Sequence, residues 1–164
     1  MTRTLTIVTM AGLWTLGSLD ARAQGVVMQR NLSLGLAKVI AEATLAACAS
    51  KGFNTSAAVV DRAGQLLVVL RHEQASVQTV EMARRKAYTA RMFRVATSEF
   101  QKRTAADPTL TPQRDVSDIL ALGGGLPILV GNEVIGGVAS SGSSQESDEA
   151  CAKAGLAKAA DQLK

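Results

Sequence analysis

The segment from Gly123 to Leu156 constrains the fold of this chain more than any other. Two short apolar runs flank Gly131-Asn132, and a Gly/Ser-rich stretch then leads into an alanine-rich run that opens with acidic residues. Gly-Asn between β-branched residues is typical of a two-residue hairpin turn, because such turns need positive φ at their central positions. Acidic residues favour a helix start because they complement its unpaired N–H groups. The segment therefore predicts strand, turn, strand, loop and helix.

The rest of the chain predicts three more helices and one more hairpin. Apolar residues recur at helical spacing in two stretches, and between these stretches two β-branched runs flank a turn. Asp118 to Leu122 fits either a short edge strand or a helical turn. This pattern predicts an α+β sandwich, an antiparallel sheet with helices packed on it. In chain order the segments are 32–51 (helix), 55–60 and 65–70 (strands), 76–93 (helix), a helical piece after 98, 127–130 and 133–139 (strands), and 145–163 (helix).

Length and composition indicate one ordinary globular domain. The chain has 164 residues and is 47% hydrophobic but only 3% aromatic, so small side chains must fill the interior and let helices and strands approach closely. The net charge of +4 is mild and does not indicate a nucleic-acid partner.

Residues 1–23 have the features of an export signal. Arg3 supplies the positive start, residues 5–19 are uncharged, and Ala21-Arg22-Ala23 places small residues where a signal peptidase cleaves. Cleavage before Gln24 would leave a single domain of residues 24–164. We expect this domain to be periplasmic or secreted. A membrane anchor would need roughly 20 apolar residues, and threonines interrupt this run. No other segment is expected to span a bilayer.

Cys48 and Cys151 both lie in predicted helices. An oxidising compartment would permit a disulfide, but unpaired cysteines are commonly small buried hydrophobes. The sequence leaves both states open, and from it we expect the unpaired state. Neither cysteine has another cysteine or a histidine at ligand spacing, which argues against a metal site there.

His72, the only histidine, follows the second predicted strand. Imidazole is a common ligand of transition metals and haem iron and also carries protons. A solvated loop histidine is the alternative.

The second long helix combines basic residues with two further types of iron ligand. Tyr88 and Met92 are four residues apart, hence on one side of the helix, and both residue types serve as axial haem ligands. The alternative is a solvated basic face with Tyr88 and Met92 at a subunit interface. The basic residues, which would suit an anionic ligand such as haem with its propionates, are Arg84, Arg85, Lys86, Arg91 and Arg94.

Two other patterns are candidate sites. Glu146 and Glu149 place two carboxylates on one side of the start of the last helix, where they could hold a metal cation such as iron, although helix capping alone also explains them. Gly123-Gly124-Gly125 lacks the lysine and hydroxyl residue of a phosphate-binding loop. We interpret these glycines as permitting close backbone approach or an unusual φ before a strand.

Six motifs in fixed order resemble those of one known family, the GlcG/HbpS family of haem-binding proteins, also called the haem-degrading domain family, which includes relatives such as the PduO C-terminal domain. The resemblance covers Leu32 to the C-terminus. The motifs are VVDRAG (59–64), RHEQA (71–75), KAYTA (86–90), ATS (96–98), GGGLPI (123–128) and DEACA (148–152).

The resemblance implies a profilin-like sandwich with a five-stranded antiparallel sheet, homo-oligomers that are often octamers, and haem as ligand, in some members with iron sensing. We therefore expect an exported haem-binding protein. The haem would lie near the second long helix, with an iron ligand and nearby arginines from that region. The candidate iron ligands are His72, Tyr88 and Met92, and the candidate propionate ligands are Arg84, Arg85 and Arg91.

Two alternatives remain at this stage. One is a cofactor-free lyase, isomerase or hydratase for a small acid, with an active site between subunits that uses Lys86, Tyr88, Arg91 and the backbone of 123–125. The other is a sensory or structural accessory that binds a partner protein and carries surface iron at Glu146 and Glu149.

Overall fold

A computed structural model describes residues 25–164, and the export signal predicted for residues 1–23 lies outside this range. Within it, helices and strands follow the predicted order. None of these helices is both long and apolar enough to cross a bilayer. The helices are α1 (Leu34–Ala49), α2 (Gln78–Phe93), α3 (Thr97–Ala106) and α4 (Gln145–Lys158), with 3-10 helices at Thr111–Asp115 and Ala160–Gln162; the strands are β1 (Ser56–Val60), β2 (Leu66–Arg71), β3 (Gly125–Val130) and β4 (Glu133–Ser141).

Local sequence signals account for several of the element ends. The Ser33 hydroxyl accepts a hydrogen bond from the backbone N–H of Leu36 at 3.2 Å and so caps α1. Asp61 caps the β1–β2 turn in a similar way, since its carboxylate accepts from the backbone N–H of Gln65 at 2.9 Å. Gly131 has a φ of 58° in the two-residue β3–β4 turn, which confirms the predicted hairpin.

The strands form one antiparallel sheet in the order β2-β1-β4-β3. Helix α2 packs against β1, β3 and β4, whereas α1 and α4 pack against each other and the sheet. The residues alternate between the two layers: Val60 joins Ala87 and Ala139 beside α2, while Val59 joins Ile40 in the other core. The α+β sandwich is confirmed.

The sheet has four strands in residues 25–164, not the five that the family resemblance implied. The segment Asp118–Leu122, which we considered as an edge strand or a helical turn, is neither. Asp118 has a φ of 69°, outside the extended range. The backbone N–H of Leu120 donates to the Thr89 hydroxyl at 2.9 Å, and Arg85 donates to the carbonyl of Ile119. Side chains of α2 therefore bind backbone groups that a strand would pair with its neighbour.

Small residues let α2 lie directly on the sheet, as the scarcity of aromatic residues predicted. A Cβ on Gly137 of β4 would stand 2.2 Å from the carbonyl oxygen of Ala87, so only glycine fits there. This close contact holds the middle of α2 in a fixed position over the centre of the sheet.

The two cysteines form a disulfide, and our expectation that they are unpaired was wrong. The Cα atoms of Cys48 on α1 and Cys151 on α4 are 5.4 Å apart, and both residues are fully buried. Sequence could not predict this pairing because the two cysteines lie 103 residues apart in the chain and meet only through the packing of their helices.

Candidate functional site

Helix α2 carries most of the site residues predicted from the sequence, and the structure places them in four different surroundings. Lys86 faces the interior, where it is 1% exposed. Its amine donates to the Asp148 carboxylate at 2.9 Å and to the carbonyl of Ser140 at 3.2 Å. Asp148 lies in the first turn of α4 and is equally buried. The lysine expected to contact a ligand is thus one half of an interior ion pair that ties α2 to α4.

The triple glycine packs against this ion pair. Gly124 has a φ of 119°, which favours glycine, and a Cβ there would meet both Asp148 and the Lys86 amine within 3.0 Å. Its neighbours are held by side chains, because Gly123 donates to Gln145 at 2.7 Å and Gly125 donates to Thr97 at 2.9 Å. The motifs KAYTA, GGGLPI and DEACA, which are far apart in sequence, therefore meet at one point.

A polar cavity of about 530 Å³ borders the pair. The Asp148 carboxylate also accepts from the backbone N–H and hydroxyl of Ser143, so its oxygens are well supplied with donors. Burial lowers the pKa of the Lys86 amine, and the charge and hydrogen bond of Asp148 oppose that shift. The cavity wall consists mainly of the start of α2 and the loop between β4 and α4, and includes Ser76, Thr79, Met82, Ser141, Ser144 and Glu146.

Arg84 and Arg85, two of the expected propionate ligands, are occupied by the protein itself. Arg84 pairs with Glu81 at 2.7 Å and with Asp118. These two carboxylates raise the pKa of the Arg84 guanidinium. Arg85 donates to the carbonyl of Ile119. Both side chains hold the 116–122 loop against α2.

Tyr88 and Met92 lie together on the outer side of α2. Both cover Gly64 in the turn between β1 and β2: a Cβ on this glycine would stand 2.8 Å from the Tyr88 ring and 3.0 Å from the Met92 methyl group. Tyr88 is half-buried, and Met92 is 39% exposed. The prediction that they share one face is confirmed, and the face is accessible.

A basic groove adjoins this surface, where the ends of both hairpins meet the C-terminal end of α2. Its volume is about 660 Å³. We call it the arginine groove; its arginines are Arg30, Arg62, Arg91 and Arg94, and the remaining lining residues are Met28, Val130, Gly131, Asn132, Glu133 and Val134.

Arg91, predicted to contact an anionic ligand, lies in the arginine groove. Its Nε donates to the carbonyl of Arg62, which ties α2 to the β1–β2 turn. Burial lowers the pKa of the Arg91 guanidinium, and the neighbouring charges of Arg62 and Arg94 lower it further. The nearby Asp61 carboxylate opposes this shift.

His72 lies at the other end of β2 from Gly64, and therefore far from Tyr88 and Met92. The six residues of β2 span roughly 20 Å. The backbone N–H of Gln74 donates to the His72 Nδ1 at 3.2 Å. Within one subunit, a single iron atom could not contact both His72 and the Tyr88–Met92 surface.

Glu146 and Glu149 share a cleft of about 440 Å³ between α3 and α4, and Glu146 also borders the cavity beside Lys86 and Asp148. Lys102 and Lys153 also line it, so the carboxylates already have cationic neighbours. No group of three or more metal-ligating histidine, cysteine or carboxylate side chains occurs among residues 25–164. The pair alone would offer iron two carboxylates.

Sequence reasoning missed two parts of this arrangement. The sequence assigns no site role to Asp148, which belongs to the DEACA motif, or to Arg62, which belongs to the VVDRAG motif. In DEACA two acids directly precede Ala, Cys and Ala, and an acid so close to small apolar residues was the available signal for burial. No local signal could have placed Arg62 beside Arg91, because that contact depends on the docking of a hairpin on a helix.

The fold and these sites define a class, a four-stranded antiparallel sheet between helices with a buried Lys–Asp pair beneath a triple glycine. The chain belongs to the family whose model is described as haem degrading protein HbpS-like, which matches residues 32–157. Our assignment from the sequence motifs is confirmed.

Similarities to known proteins support this family assignment. A double mutant of HbpS from Streptomyces reticuli is 35% identical with a TM-score of 0.78, and 86% of this chain and 95% of that chain are covered. A PduOC:haem complex is 25% identical with a TM-score of 0.70, covering 77% and 94%. An uncharacterized 15.0 kDa protein from the dhaT-dhaS intergenic region of Citrobacter freundii is 31% identical over 127 residues, 76% of this chain and 89% of that protein.

Proposed function

We propose that this chain binds haem on the Tyr88–Met92 surface and handles it as an exported homo-oligomer. The observation that carries the proposal is the position of these two side chains, side by side and accessible next to the arginine groove. The solved structure of the similar PduOC protein as a haem complex supports haem as the ligand.

The chemistry of the surface suits a porphyrin. Tyrosine oxygen and methionine sulfur are both axial ligands of haem iron. The Tyr88 ring and the Met92 methyl group supply apolar contact, and the arginines beside them supply charge for the propionates.

Export and assembly are supported by separate observations. The disulfide between Cys48 and Cys151 is typical of an oxidising compartment, in agreement with the signal features of residues 1–23. Several apolar side chains are exposed, including Leu66 and Leu129 on the two edge strands and Val77 at the start of α2. Contact between subunits would cover such residues. Cell fractionation and the native mass of the purified assembly test these two points.

The haem experiment is a titration of purified apoprotein with hemin, followed by the Soret band. We expect saturable binding, a changed spectrum in Met92→Leu or Tyr88→Phe, and an unchanged spectrum in the control Val77→Ala. The two substitutions preserve packing while each removes one iron ligand. Absence of a saturable Soret shift would contradict haem binding itself. A spectrum altered only by His72→Ala would instead move the iron to the opposite end of β2.

A further inference from the structure

The arginine groove carries more positive charge than its own carboxylates neutralise. Its four arginines come from the lead before α1, the β1–β2 turn and the last turn of α2, and the lining contains one carboxylate, Glu133. Glu133 pairs with Arg62, which also donates to the carbonyl of Arg30 at 3.2 Å. Arg62 is therefore held in place by the protein.

Arg91 and Arg94 keep donors available. Arg91 uses its Nε on the Arg62 carbonyl, so its two terminal amino groups remain. Six salt bridges occur within residues 25–164, and none of them includes Arg91 or Arg94. Burial lowers the pKa of Arg91, the charges of Arg62 and Arg94 lower it further, and a bound anion would relieve the repulsion among these three cations.

The backbone of Arg94 gives a second, independent observation. This residue caps the C-terminal end of α2 with a φ of 57° and a ψ of 31°, the left-handed conformation. Glycine commonly occupies that helix position because other side chains are strained there. An arginine in this place loses backbone stability and leaves its guanidinium beside Arg91. Strained residues of this kind cluster at binding sites.

We propose that the arginine groove is a binding site for anionic oxygen groups, either a phosphate or a pair of carboxylates, held by Arg91 and Arg94. The planar guanidinium presents paired N–H donors that match two oxygens of a carboxylate or phosphate. Arg62, fixed by Glu133, positions Arg91 through its carbonyl. The two carboxylates of a porphyrin and a free phosphate group share this chemistry. Only the porphyrin source rests on the haem function proposed above.

The first test uses inorganic phosphate, titrated by calorimetry at constant ionic strength against chloride. We expect saturable binding that weakens roughly tenfold in Arg91→Gln and in Arg94→Gly, because each loses a charge-assisted hydrogen bond. Lys158→Gln is the matched control, since it removes one positive charge from α4 on the opposite face of the sheet and should leave phosphate binding unchanged.

The second test separates the two sources. Hemin is compared with its dimethyl ester, which has the same iron and ring but no carboxylates. Weaker binding of the ester, with hemin affinity reduced by Arg91→Gln and ester affinity unaffected, would assign the groove to porphyrin carboxylates. Saturable phosphate binding without any hemin binding would keep the groove as an anion site and reject the haem function.

A folding artefact can be recognised in the same experiments. Arg94→Gly removes a guanidinium but also removes backbone strain, so this variant should melt at a higher temperature while it binds the anion less well. The inference is overturned if phosphate shows no saturable binding and hemin shows no preference over its ester. Equal losses in Arg94→Gly and Lys158→Gln would overturn it as well, because net charge alone would then explain the effect.

Discussion

Lys86 and Arg94 lie about two turns apart on α2, yet their positive charges have opposite surroundings. The Lys86 amine is enclosed with the Asp148 carboxylate and the Ser140 carbonyl. Arg94 lies at the exposed rim of the arginine groove and takes part in none of the ion pairs within residues 25–164. One end of the helix therefore uses charge to join secondary-structure elements, and the other leaves charge available for a ligand.

The largest expected effect comes from breaking the interior pair. Lys86→Met should lower the free energy of unfolding by about 3–5 kcal/mol, because the buried Asp148 carboxylate would lose its partner. Denaturant unfolding measures the loss, and Lys102→Met, at an exposed position of α3, is the control. A loss below about 1 kcal/mol would mean that the interior charge contributes no more than a surface pair.

The disulfide tests whether the docking of α4, which stabilises the Lys86 end of α2, also affects the other end of that helix. Cys151 lies one turn after Asp148, and Cys48 Sγ is 3.4 Å from the Ser140 hydroxyl. Reduction should cost about 2–4 kcal/mol of stability and leave anion binding in the groove unchanged. The double variant Cys48→Ala/Cys151→Ala, which no longer responds to reductant, is the control. Loss of anion binding on reduction would show that the two ends of α2 are coupled.

At the exposed C-terminal end of α2, substitution by glycine should change the free energy of unfolding in opposite directions at two nearby positions. Arg94→Gly should raise the free energy of unfolding by about 1 kcal/mol, because glycine adopts positive φ without strain. Arg91→Gly should lower it by a similar amount, because glycine inside a helix is unfavourable. Thermal melts of both variants measure this difference. A destabilised Arg94→Gly would mean that the arginine contributes packing that outweighs its backbone strain.

The smallest effect is a pH dependence of the interior pair. Burial lowers the pKa of Lys86 in the folded state below its ordinary value of 10.5. The unfolded chain keeps the ordinary value. At a pH between the lowered folded-state pKa and 10.5, Lys86 therefore binds its proton more tightly in the unfolded chain, and raising the pH through this window favours the folded state. The difference in unfolding free energy between wild type and Lys86→Met should therefore increase as the pH approaches 10.5. A difference that stays flat or shrinks would contradict the lowered pKa.

Local signals predicted the elements but not the contacts between them. Ser33 and Gly131-Asn132 mark a helix start and a hairpin because the relevant hydrogen bonds and φ angles lie within a few residues. The pairing of Lys86 with Asp148 spans 62 residues and depends on how two helices dock. Asp118–Leu122, for which the sequence allowed an edge strand or a helical turn, forms neither for the same reason, since side chains of α2 bind its backbone.

In the candidate site too, the sequence predicted local features but not the contacts between elements. Periodicity correctly placed Tyr88 and Met92 on one face, because four residues make about one helical turn. It could not distinguish Arg84, which pairs with Glu81 and Asp118, from Arg91, which faces the groove. Both are basic residues on the same helix, and only the neighbouring loops decide which one is already occupied.

The bond between Cys48 and Cys151 closes most of the domain into a covalent ring that contains the entire sheet, α2 and α3. A single peptide-bond cut anywhere in that ring leaves both fragments joined. Proteolytic nicking in the exposed stretch around Pro108 would therefore leave the mass of the molecule almost unchanged until a reductant separates the pieces. A protein with this covalent ring can be cut once by a protease within the ring and still remain one molecule.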